Sequence, residues 1–102
     1  MPPFTNGEVL HALSLVMPDE MVAAARRESG ASPAEPCIFW MSDSILLVLA
    51  TISDDFAGRV TGFRPDLRQR VDEVRHDPVG YIQALKAMFQ EADGNRNPQD
   101  QE

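Results

Sequence analysis

Few side chains in this chain are reactive or ligating: one cysteine, Cys37, and two histidines, His11 and His76. A catalytic thiol needs a base within hydrogen-bond reach and a third group to orient that base. The spacing of His11, Cys37 and His76 provides no such arrangement. Cys37 instead opens the apolar run Cys37-Ile38-Phe39-Trp40-Met41, where a lone cysteine acts as a small core residue. Asp72 and His76 are four apart and can share one helix face. A metal centre needs three or four ligands with supporting partners behind them. Only Asp77 lies close, and helix capping already accounts for it. Asp54-Asp55, with Asp43 upstream, lacks the glycine and the spaced acids of a calcium loop. No catalytic residue, metal site or cofactor is expected, and the chain reads as non-enzymatic.

Charge offers two further surfaces. Arg64, Arg68 and Arg75 fall within a sector of about 40° on a helix turning ~100° per residue. Such a helix can read DNA in the helix-turn-helix manner. Asp66, Asp72 and Glu73 compensate it locally. The whole chain carries −7, spread as −5 over 1–63, zero over 64–92 and −2 over 93–102. That balance opposes general attraction to nucleic acid or an anionic membrane. The acids Glu8, Asp19, Glu20, Asp43, Asp54 and Asp55 form a candidate secondary face, able to mimic nucleic acid in a basic groove.

Apolar bulk is the third signal. Phe39, Trp40, Met41, Phe63, Met88 and Phe89 exceed what one buried stripe per helix requires. Surplus of this kind, when exposed, marks protein contacts, with tryptophan the typical anchor. Phe39, Trp40, Met41 and Phe63 are therefore the candidate protein-binding residues. The function that follows is a regulatory protein acting by protein–protein binding, such as an anti-activator-like antagonist of a transcription regulator or other bacterial complex, working as a homodimer. The alternatives are the acidic mimic and a small DNA-binding regulator using the Arg64, Arg68 and Arg75 stripe.

The elements that position these residues follow from periodicity and punctuation. At 102 residues the chain forms one domain. The densest apolar run, 45–52, continues into a stripe of Ile45, Leu49, Ile52, Phe56 and Val60, spaced by four, three, four and four. The stripe predicts one long central helix over 45–60, capped by Ser42 or Ser44 and closed by Gly62. A rival reading pairs 37–41 with 45–52 as a β-hairpin around Ser42-Asp43-Ser44, which would make the fold α+β. The turn lacks the glycine that a tight hairpin favours.

Thr5 and Glu8 spell a capping box for a first helix, with Phe4 and Val9 as its staple. That helix buries Val9, Leu10, Leu13, Val16 and Met17. Pro18 opens a short second helix that ends at Gly30, with a thin apolar face of Met21, Val22 and Ala25. Pro65 starts a helix burying Leu67, Val71 and Val74, with Asp66–Arg70 and Arg68–Asp72 as outer pairs. Asp77 caps a last helix with Val79, Ile82, Leu85, Phe89 and Ala92 inward and Tyr81 and Met88 beside them, closed by Asp93-Gly94. The expected fold is all-α, a compact bundle of about five helices over 1–92 with a disordered acidic tail at 93–102. The single cysteine fits a reducing cytoplasm, and the eight arginines against one lysine, Lys86, fit a GC-rich bacterial genome.

Overall fold

The computed structural model describes residues 3–29, 32–37 and 42–95. Within them the chain is all-α and contains no strand; a single antiparallel bridge joins Thr5 to Pro36. The elements are α1 (Asn6–Val16), α2 (Asp19–Ser29), α3 (Asp43–Ile52), α4 (Asp54–Phe63), a 3-10 turn (Pro65–Leu67), α5 (Arg68–His76) and α6 (Pro78–Asn95).

α1 begins as its sequence dictates. The Thr5 hydroxyl accepts the Glu8 amide at 3.2 Å, and the Glu8 carboxylate accepts the Thr5 amide at 2.9 Å. Phe4 and Val9 are both buried in the one core. The segment 32–37 is tied back onto this start. The Asn6 amide donates to the Glu35 carbonyl, the Gly7 amide to the Pro33 carbonyl, and the Cys37 amide to the Phe4 carbonyl. The Asn6 side chain is buried and donates to the Ser32 carbonyl at 3.0 Å. A Cβ at Gly7 would sit 3.3 Å from Pro33, so glycine permits this close approach.

α3 is the centre of the molecule. Its six consecutive residues from Ile45 to Ala50 are all buried, so the helix is covered on every side. This excludes the hairpin over 37–52: residues Asp43–Ile52 are helical, with the Ser42 hydroxyl accepting the Ile45 amide.

The single long helix over 45–60 is corrected. The chain breaks at Ser53, which is extended at φ −162° and ψ 166°. Neither proline nor glycine forces the break. Ser53 caps α4 by accepting the Phe56 amide at 3.1 Å. Across the break, the Arg75 guanidinium reaches the Ala50 and Thr51 carbonyls at the end of α3 and pairs with Asp54 at the start of α4. One arginine thus meets carbonyls left without partners at one helix end and an acid at the next helix start.

The 3-10 turn buries Leu67 and α5 buries Val71 and Val74, as the stripe predicts. Asp66, however, pairs with Arg64 through two bonds of 2.8 and 2.9 Å, not with Arg70. Asp77 caps α6 by accepting the Gly80 amide. Two inward assignments on α6 are reversed: Val79 is 64% exposed and Met88 63% exposed. Leu85 is buried, with Tyr81, Ile82 and Phe89 packed beside it. α6 rests on its neighbours along one narrow line, and Val79 and Met88 flank that line on opposite sides. Its helix continues to Asn95, past the expected stop at Asp93-Gly94, while 96–102 and the side chain of Ala92 lie outside the described residues.

Candidate functional site

The charged candidates are drawn together, and mostly with one another. Arg59 on α4 lies between the Phe4 and Phe56 rings, 4.7 and 4.3 Å from their centroids. Those rings meet edge to face at 5.2 Å. The guanidinium donates to the Pro3 carbonyl and to both oxygens of Glu8, and pairs with Asp55 at 3.1 Å. Burial pushes the Glu8 carboxyl up, but the Thr5 amide and Arg59 outweigh it and hold the group below its ordinary value. Arg64 pairs with Asp43 at 3.0 Å and with Asp66 at 2.8 Å. The bond from Arg64 lowers the Asp66 carboxyl, and Asp66 in turn raises Arg64.

Of the six acids on the candidate secondary face, Glu8, Asp43, Asp54 and Asp55 therefore each hold an arginine. Asp19 and Glu20 are exposed in the first turn of α2. Of the arginine stripe, Arg64 and Arg75 are bound to acids and Arg68 is exposed. The sequence displays these charges, but their pairing across as many as 51 positions is a product of the fold.

The reactive candidates are dispersed. Cys37 is buried. His11 is exposed and lines a cleft of about 340 Å³ with Leu10, Ser14, Arg26 and Pro33. Asp72 and His76 do share a cleft, with Glu73 and Asp77. Among the described residues no group of three or more His, Cys, Asp or Glu has the geometry to hold a metal ion.

The apolar candidates divide. Phe39, Trp40 and Met41 lie outside the described residues. Phe63, the last residue of α4, is 39% exposed. The sequence reading missed a different apolar feature. An open groove of about 470 Å³ runs where α1, the end of α3 and the first turns of α6 meet. Leu15, Ile52, Pro78, Val79 and Ile82 line it, with Thr51, Gln83 and Lys86 at its polar edge. The signal available in sequence was Val79, which sits beside the Ile82–Leu85–Phe89 arc rather than within it. Also on α6, the exposed positions Val79, Gln83, Ala84, Lys86, Ala87, Met88, Gln90 and Glu91 include only two charges. No family model, curated protein or solved structure matches the chain. Among the described residues no helix is long and apolar enough to cross a membrane.

Proposed function

We propose that this protein is a non-enzymatic regulator that binds another protein, in the manner of an anti-activator holding a bacterial transcription regulator or a comparable complex in the cytoplasm. The observation that carries this reading is the groove along α6, with Val79 nearly two-thirds exposed on its wall. A groove walled by aliphatic side chains and edged by Gln83 and Lys86 fits the apolar side of a partner helix. Lys86 is the one charged group in the lining and favours a carboxylate on that helix. The mutual pairing of acids and arginines supports the same choice, because it takes groups away from both the nucleic-acid mimic and the DNA reader.

Capture from bacterial lysate on immobilised protein tests this, with Val79→Glu as the comparison. A charge placed in an apolar contact is left desolvated and unpaired, so the variant should lose the partner. Val79 is exposed, so its melting midpoint should stay within about 2 °C of the parent. Equal recovery of the partner by both proteins would remove the groove from the binding surface.

A further inference from the structure

We infer that the break between α3 and α4 is a hinge through which two copies of this chain exchange α4–α6. The stripe of Ile45, Leu49, Ile52, Phe56 and Val60 keeps helical spacing straight through the break. Residues 51–55, Thr-Ile-Ser-Asp-Asp, contain no proline or glycine to enforce a stop. The linker is one residue, Ser53, in an extended conformation open to any residue type. Local contacts hold it: the Ser53 hydroxyl on the Phe56 amide, and Arg75 on Asp54 and on two carbonyls of α3.

If Ser53 turns helical, α3 and α4 become one helix over 43–63, about 31 Å long at 1.5 Å per residue. The α4–α6 unit then swings away from its own α1–α3 and docks on the α1–α3 of a second copy. Contacts between the two units away from the hinge re-form between chains. These include Arg59 with Glu8 and Phe4, Arg64 with Asp43, and the Tyr81 hydroxyl with the Ser44 carbonyl. Only the hinge changes. It loses the Ser53 cap and the Arg75 bonds to the Ala50 and Thr51 carbonyls, which instead accept the Asp54 and Asp55 amides of the continuous helix. Exchange of identical elements is a low-cost route to a dimer, and a short hinge favours it.

Two substitutions pull the hinge in opposite directions. Ser53→Ala removes the cap and places a strong helix former at the break. Loss of a cap weakens a helix start roughly fivefold, and the dimer has two hinges, so its association constant should rise roughly 25-fold. Asp54→Pro suits the first position of α4 and the extended residue before it, but is incompatible with a continuous helix. Each protein is refolded from denaturant at high concentration and sedimented to equilibrium. The expected result is more dimer for Ser53→Ala and monomer alone for Asp54→Pro. Equal dimer in Ser53→Ala and the parent, or in Asp54→Pro and the parent, overturns the hinge. If Asp54→Pro does not fold, the Ser53→Ala dimer decides by itself, in a mixture of isotope-labelled and unlabelled chains. The Phe4 and Phe56 rings are in contact, so exchange makes their nuclear Overhauser effect an interchain one. A purely intrachain effect in that dimer also overturns the proposal.

Discussion

Arg59 shows how much one side chain can organise here. Its guanidinium sits between two rings, bonds both oxygens of Glu8, pairs with Asp55 and holds the Pro3 carbonyl. The Arg59 and Glu8 side chains are each about one-third exposed, which keeps the ion pair modest. Ring contacts and loss of the Pro3 bond add to it. Arg59→Ala should therefore cost about 2 kcal/mol, read from the urea midpoint at constant slope. Glu8 supplies a pH test. Its folded carboxyl lies below the ordinary value of 4.5. The stabilisation it confers is thus complete above about pH 4.5 and lost as pH falls through the folded value. Glu8→Gln should flatten the acid limb of stability against pH without abolishing it, because Asp66 is lowered in the same direction. An unchanged limb would show that the Glu8 pairing contributes nothing to folding.

At the scale of elements, α3 dominates because six neighbouring residues are all buried. Leu49 is fully buried among them, so Leu49→Ala should cost about 2–5 kcal/mol by leaving a cavity in the centre of the bundle. A thermal midpoint within error of the parent would place Leu49 outside the core. Much of this layer was legible in sequence. The Thr5–Glu8 box, the stop at Pro18, the stripe of Leu67, Val71 and Val74, and the Asp77 cap all depend on steps of no more than four positions along the chain. What was not legible depends on distant partners. Arg75 reaches carbonyls 24 and 25 positions away to help hold the break at Ser53. The pairs Glu8–Arg59 and Asp54–Arg75 turn two apparent charged faces into links between helices. Val79 and Met88 read as inward because the apolar arc of α6 is wide; the neighbours that would cover its edges are missing among the described residues. The groove follows from that same geometry, and no local motif announces it.

At the scale of the whole molecule, net charge and available charge differ. The chain carries −7, yet acids on α1, α3 and α4 are matched by Arg59, Arg64 and Arg75. A partner approaching such a surface meets paired charges and open aliphatic side chains. Association through the proposed apolar surface should therefore weaken by less than about threefold between 0.05 and 0.5 M salt, whereas a nucleic-acid mimic or DNA reader should lose several decades. The run 37–41 is proposed as a second binding surface. Its aromatic side chains follow Cys37, which is buried, and precede Ser42, which is exposed at the start of α3. If Trp40 anchors the partner, Trp40→Ala should weaken association by about 2 kcal/mol while leaving the fold intact, because an interface side chain is solvated in the free protein. Titration calorimetry with the captured partner gives the affinity, and circular dichroism melts give the fold. Loss of the melt together with loss of binding would make Trp40 ordinary core and leave α6 as the binding surface. Steep salt dependence with Trp40→Ala binding normally would instead move the interface to the exposed acids Asp19 and Glu20.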